Sequence, residues 1–345
     1  MTYLSGRIAL DIQAGAPNNG RATADQGNIS PVKQMRGPGG VYPYISAQAL
    51  RRWQRDSLPS SETPSPVIRT GKDKGANQQA YTSGRPDLYL DDDAFGYMAA
   101  VKSATFMRET VLATGTLVSV LPTRPTHDFG TMSRGFETGA NPLIHEHEFY
   151  TGVLAGDLSL DLARLGYFEQ TGVRQRSLPE EAEAGLVAGG AVRHSLRGTT
   201  GILLAIEERR RRTAVLLRTI AATQGGAKNA SHYGDRTPAL ILLAPLRGGN
   251  QPFSRILAAV DGQVRFDADT MREELGAWAD EIDGTVTLGW APGFLGDQRD
   301  QAGDQLKDLV EAGKLVIGHP RTVIGALADA IQDGGHDDWF GDPRG

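Results

Sequence analysis

Residues 16–45 run without any apolar period through Ala16-Pro17-Asn18-Asn19-Gly20 and on to Gly37, Gly39 and Gly40. A structureless stretch of that length is uncommon inside a compact domain unless it is a binding loop. Its glycines, asparagines and prolines suit close approach of backbone to a ligand. The loop carries Asn19, Arg21, Asp25, Asn28, Lys33 and Arg36, so its charge is mostly positive. Ahead of it, Leu4, Gly6, Ile8, Leu10 and Ile12 alternate with smaller or more polar residues, the pattern of a half-buried first strand. Behind it, Ser46 is placed to cap a helix over residues 47–56, with Ala47, Leu50 and Trp53 facing inward and Arg51, Arg52 and Arg55 facing away.

A ligand that uses backbone N–H groups, a helix N-terminus and arginines one turn apart is a phosphate chain. Helix N-termini and guanidinium forks both bind phosphate oxygens, and a spacing of four puts Arg51 and Arg55 on one face. Arginines on a surface helix are otherwise a solvated face; the basic loop in front favours the ligand reading. Ser46 and Gln48 sit beside those arginines as further contacts.

The chain has 345 residues, 39% of them hydrophobic and 22% charged, enough for one large or two modest domains, and its 43 glycines predict much irregular chain. A net charge of −5 argues against coating nucleic acid with the whole surface. Any contact with RNA must then be a local basic stripe, with carboxylates gathered elsewhere, in Asp91-Asp92-Asp93, Glu180-Glu181 and beyond Asp261. There is no cysteine, which excludes disulfides and thiolate metal sites and fits a reducing cytoplasm. No apolar run is long enough to span a membrane, and Arg7 and Asp11 interrupt the stretch where a signal peptide would be apolar. A cytoplasmic protein without membrane contact is expected.

Further along, residues 59–77 read as a mobile insertion, with Lys72 and Lys74 as solvated lysines. Residues 89–100 read as a short helix with Asp91 as its cap, and 114–120 as a strand. Residues 124–144 read as two arms around Met132-Ser133-Arg134-Gly135, with Phe129, Met132 and Phe136 as apolar groups that wedge between bases or pack on a neighbour. His145, His147 and Phe149 alternate along a strand, so the two imidazoles share a face. Without a third ligand they are expected as polar positions near an RNA surface, and no metal is expected. Residues 158–165 are predicted helical, as are 207–222, with the run 209–212 as the solvated face of that second helix. Lys228 in the turn Gly225-Gly226-Ala227-Lys228 is another RNA candidate, and 239–243 is an apolar run fit for an inner strand.

No G-x-S-x-G elbow, G-x-x-x-x-G-K-[ST] loop or strand-linked G-x-G-x-x-G is present, so hydrolase, NTPase and dinucleotide classes lack their signatures. No catalytic residue and no cofactor are expected.

The order of strand, Asn-Asn-Gly loop, Gly-Gly and then Pro43-Tyr44-Ile45-Ser46-Ala47-Gln48-Ala49-Leu50-Arg51-Arg52-Trp53-Gln54-Arg55 resembles the backbone subunit of type I CRISPR interference complexes (Cascade), in the DevR-like branch of the RAMP superfamily. Gly84-Arg85-Pro86-Asp87, the run from Val120 to Pro125, the stretch 145–166, Gly225 to Lys228 and the stretch 238–253 fall in that family's order. The resemblance implies an α+β chain: a ferredoxin-like (RRM-like) palm over 1–57, 101–120 and 145–345, inserted helical fingers over 58–100, and a β-hairpin thumb over 121–144. It implies a scaffold that polymerises along crRNA, presents it to a target DNA strand, and meets other copies of itself and other Cascade subunits. It also raises an alternative, because backbone subunits of type III complexes cut target RNA with an aspartate in the loop that here holds Asp25.

Overall fold

The computed structural model describes residues 2–22, 29–70, 79–101, 104–132, 135, 143–171 and 176–341. Asp25, Asn28, Lys72, Lys74 and Phe136 lie outside the described residues.

The chain is α+β. Its largest sheet is organised by two long strands, Thr2–Gly15 and Leu143–Asp161. They run antiparallel in unbroken register from Tyr3 opposite Asp161 to Ile12 opposite Gly152. On its other edge Thr2–Gly15 pairs antiparallel with Leu240–Arg247. Across the sheet the order is Leu315–Gly318, Val286–Trp290, Leu240–Arg247, Thr2–Gly15, Leu143–Asp161, Leu117–Ser119, Gly40–Ile45 and Gln34–Gly37. The long strand is shared further along its length by Leu112–Thr114, Thr126–Met132 and Ile29–Ser30.

The alternation read from the first strand is what lets it separate two cores. Leu4, Ile8, Leu10 and Ile12 point to a layer made by helices Ile206–Ala221 and Pro320–Gln332, which supply Leu216, Leu217, Ile220, Ile324 and Ile331. Ala9 lies in the opposite layer with Phe253, Met271, Trp290 and Leu306. Leu240–Arg247 is buried on both faces, Ile241 and Leu243 to one layer and Leu242, Ala244 and Leu246 to the other, which explains why its sequence shows a continuous apolar run instead of an alternating one.

Four expectations are corrected. Residues 158–165 are not a helix: the strand continues to Asp161, and a turn follows in which the Asp161 carbonyl accepts from the N–H groups of Arg164 and Leu165, both at 3.2 Å. Leu158, Leu162 and Leu165 fit a helical period and Leu158, Leu160 and Leu162 a strand, and pairing with the first strand decided. The stretch 58–100 is less helical than expected. Among its described residues it holds one short helix, Leu90–Phe95, beside the hairpin Val67–Thr70 with Gln79–Thr82 and the first arm, Tyr97–Val101, of another. The cap of that helix is Tyr89, and Asp91 lies inside it. Finally, the run 209–212 is not a solvated face: Arg209 and Arg212 are buried. Arg212 pairs with Asp93 at 2.6 Å and with Glu208 at 2.8 Å. Arg209 donates to the carbonyls of Leu165, Leu162, Ala163 and Phe340, and burial lowers its pKa to about 10.

The acidic run Asp91-Asp92-Asp93 is likewise internal, each carboxylate in a different bond set. Asp91 accepts from the Ser65 N–H at 3.1 Å and pairs with Arg55. Asp92 accepts from the Ser65 hydroxyl at 2.8 Å and the Arg85 N–H at 3.1 Å. Asp93 accepts from Arg108, from Arg212 and from the Gly166 N–H at 3.0 Å. Asp93 thus neutralises two interior arginines and Asp91 pairs with Arg55, whereas Asp92 is held by a hydroxyl and a backbone N–H.

Candidate nucleic-acid interface

The long loop is held by its own backbone at the base. Gly20 N–H donates to the Pro31 carbonyl at 2.7 Å, Lys33 N–H to the Asn18 carbonyl at 2.8 Å, and Tyr44 N–H to the Lys33 carbonyl at 2.9 Å. Asn19 faces Val32 in an isolated bridge. The side chain of Asn18 accepts from Ser46 N–H at 2.9 Å, fixing the helix start against the loop. Lys33 is half-buried at that junction, while Arg21 and Arg36 are exposed on the loop arms.

Ser46 caps helix Ala47–Asp56, its hydroxyl accepting from Ala49 N–H at 3.4 Å. Leu50 and Trp53 face the core as read, joined by Gln54, whose amide is buried. Of the outward residues, Gln48 is exposed and Arg51 half-buried, and Arg51 has no ion-pair partner among the described residues. Arg52 is held by Asp56 at 2.6 Å across one turn. Arg55 turns toward Leu90–Phe95: its Nε lies 3.7 Å from Asp91 Oδ2 and its guanidinium 5.4 Å from the centre of the Phe95 ring. The three arginines therefore differ, with Arg51 the least committed within the chain.

A second element closes on the same place. Ala227 N–H donates to the Pro17 carbonyl at 2.8 Å, so the 225–237 loop is tied to the start of the 16–45 loop. Gly225 has φ +131°, and a Cβ there would meet Trp53 Cγ at 2.9 Å, so only glycine lets the backbone lie this close on the helix. Lys228 adopts φ +57°, the left-handed region that a non-glycine residue seldom occupies. It has no ion-pair partner among the described residues and adds to the positive field at His147.

The third element is a hairpin formed by Thr126–Met132 and the start of the long strand, in register from Thr126 opposite Phe149 to Met132 opposite Leu143. Phe129 stands on it 65% exposed, opposite Glu146. Glu146 and His147 are bordered on their other side by Ile29 and Ser30 of the basic loop. Loop, long strand and hairpin are thus adjacent strands at this point.

His147 is where the three meet. It lies 3.3 Å from Asp128 across the hairpin, and its ring meets that of His232 edge-on at 4.8 Å. His232 in turn stacks on Phe149 at 5.1 Å. Burial pushes the His147 pKa down, His232, Lys228 and His145 add to this, and Asp128 opposes it. The adjacent Glu148 accepts from Val32 N–H at 2.9 Å and so ties the loop to the strand. The described residues contain no group of three or more acidic, histidine or cysteine side chains able to hold a metal.

The structure therefore brings Asn19, Lys33, Ser46, Gln48, Arg51 and Lys228 to one region at the base of the loop, with Arg21 and Arg36 on its arms and Phe129 on the neighbouring hairpin. Arg52 and Arg55 start from the same helix, each with a carboxylate partner. Two residues at this region escaped sequence reading: Tyr233, which is 90% exposed, and Arg236, which is 3% exposed. An aromatic and an arginine flanking Gly234 in a polar loop were the available signal. Chemically, these elements offer cations without ion-pair partners and exposed rings, groups suited to a phosphate-linked chain of aromatic bases.

No protein-family model and no curated protein matches this sequence. Solved structures do. One is a chain of a "CRISPR RNA-guided surveillance complex, pre-nicking", with TM-score 0.59 and 12% identity, covering 95% of this chain and 100% of that one. Another, from a "CRISPR RNA-guided surveillance complex", has TM-score 0.52 and 15% identity and covers 95% of this chain and 99% of that one. At such identities the likeness is one of fold, and it extends over nearly the whole of each chain.

Proposed function

We propose that this chain is a guide-RNA-binding backbone subunit of a Cascade-type CRISPR complex, belonging to the DevR-like RAMP branch. The observation that carries the reading is the meeting of the 16–45 loop, the Arg51 helix face and the Lys228 turn on a fold shared end to end with chains of RNA-guided surveillance complexes. On this reading the strands Leu240–Arg247, Thr2–Gly15, Leu143–Asp161 and Leu117–Ser119 are a ferredoxin-like palm, a view supported by their antiparallel order and by the helices Ala47–Asp56 and Ile206–Ala221 that connect them. The palm spans 1–57, 101–120 and 145–345, the fingers 58–100 and the thumb 121–144. Phosphates lie along Lys33, Arg51 and Lys228, fixing register without reading sequence. Phe129, Met132 and Phe136 are the groups that reach the next copy and interrupt the base stack, so that the guide is presented in segments to a target DNA strand. The chain holds RNA and does not cut it. On this reading Asp25 has no catalytic part.

The test is salt-dependent binding of unrelated single-stranded RNAs. Lys33→Ala with Arg51→Ala should weaken all of them alike and lower the slope of log K against log salt by about 0.7 for each lost phosphate contact. An unchanged slope refutes the assignment. Incubating the RNA-loaded complex with complementary RNA and magnesium or manganese addresses cleavage; regular fragments that vanish in Asp25→Ala would install the nuclease reading instead.

A further inference from the structure

We infer that the pocket between the C-terminal end of helix Ala47–Asp56 and the 225–237 loop is a subsite for one nucleotide of single-stranded RNA, its base stacked on Tyr233 and its phosphate facing Arg236. The inference rests on the RNA-binding reading above and adds to it a stacking platform and a buried cation on the 225–237 loop.

The pocket has a volume of about 510 Å³. At its rim Tyr233 is 90% exposed, the barest of the large apolar side chains among the described residues. A ring left this open is a platform on which any base can stack, because every base has a π-face. Arg236, also lining the pocket, is only 3% exposed. Its Nη1 donates to the Asp235 carbonyl at 2.8 Å and its Nη2 to the His232 carbonyl at 3.4 Å, while its Nε is buried without a partner. No carboxylate lies within ion-pair distance of it among the described residues.

Other buried arginines are compensated differently. Arg108 and Arg212 share Asp93, and Arg209 has four carbonyl oxygens around it. A guanidinium out of water with so few acceptors favours an incoming anion. It is also fixed in place. A Cβ at Gly15, Gly226 or Gly234 would stand 3.2, 3.4 or 2.9 Å from its Nη2, Nε and Nη1, so three glycines form its cradle. Two carboxylates also line the pocket, and both are engaged. Asp56 holds Arg52 at 2.6 Å, and Asp235 accepts from the Thr237 N–H at 2.9 Å and hydroxyl at 2.7 Å. A phosphate is therefore directed to the Arg236 side.

The experiment uses the full chain with an oligouridine carrying 5-iodouridine. Irradiation followed by mass spectrometry should map a crosslink to Tyr233. Tyr233→Ala should remove it and weaken binding by roughly 5- to 150-fold, the range for loss of one stacked base, whereas Tyr233→Phe should restore both. Because the ring is exposed, neither variant threatens folding. Arg236→Lys, checked by its melting curve, should weaken binding while retaining the crosslink. Unchanged affinity in Tyr233→Ala, with crosslinks elsewhere that depend on Arg51, overturns the subsite and leaves the wider reading intact. No binding of RNA by the unaltered chain overturns both. Normal RNA affinity with failed association of copies in Tyr233→Ala would make the ring a protein contact and also overturn the subsite.

Discussion

Asp93 should be the most costly single carboxylate to neutralise in this chain. It is fully buried, and its two oxygens serve Arg108, Arg212 and the Gly166 N–H. Asp93→Asn keeps the shape and can still accept from Gly166, but it turns an amide N–H toward a guanidinium and removes the charge that two arginines share. Removing one partner of a buried pair costs about 3–5 kcal/mol. Here some compensation remains: Arg212 keeps Glu208 at 2.8 Å, and Arg108 keeps the carbonyls of Asp93, Tyr167 and Arg164. The lower part of the range is therefore expected, about 3 kcal/mol, or roughly 4 °C in Tm for a chain of this size. The assay is urea denaturation followed by circular dichroism, with Asp56→Asn as the control. That carboxylate is half-exposed and pairs with an exposed Arg52, so its loss should cost no more than about 0.5 kcal/mol. A loss under about 1 kcal/mol in Asp93→Asn with an unchanged m value would refute the argument that this network is a principal fastening of the fold.

Phe129→Ser should alter stability by less than about 0.5 kcal/mol, since the ring is 65% exposed, yet impair assembly of RNA-loaded particles; native electrophoresis or light scattering reads this directly. Gly225→Ala should cost roughly 1–3 kcal/mol, because φ +131° is strained for any side chain and the new Cβ meets Trp53, and a denaturation midpoint equal to wild type would contradict it. His147 is held neutral in the folded chain, so below its ordinary pKa of about 6.5 the unfolded chain takes up a proton that the folded one resists. Stability is then fully present above that value and lost as pH falls; His147→Asn should flatten the decline of the urea midpoint between about pH 7.5 and 5.5, leaving the share that His336, also lowered by burial, contributes with the same sign.

Local patterns carried much of the fold in the sequence. Alternation marked Thr2–Gly15, Ser46 marked the helix start, and an unbroken apolar run marked the doubly covered strand Leu240–Arg247. What could not be read depended on distant partners. Arg212 looks like a surface cation until Asp93, 119 positions away, is placed against it. Asp91, Asp92 and Asp93 look like a surface acidic patch for the same reason, since charge is exposed by default and only pairing overrides that. Within the candidate site, composition and spacing made Lys33 and Arg51 candidates. The convergence on His147 was not, because it joins residues 29–30, 128, 147 and 232 through sheet register and a loop contact.

That register also has a bearing on how the chain is made. Tyr3 is paired on one side with Asp161 and on the other with Leu246. During synthesis at about 5–20 residues per second, the first strand waits roughly 12–50 s after leaving the ribosome before its second neighbour exists. For most of that interval Leu4, Ile8, Leu10 and Ile12 also lack the helix Ile206–Ala221 that covers them. A long strand in that condition invites edge-to-edge pairing with other nascent copies, and pairing at such sequence separation is slow to form. Yield in a cell should therefore depend on translation speed and chaperone supply more than on the stability of the finished molecule.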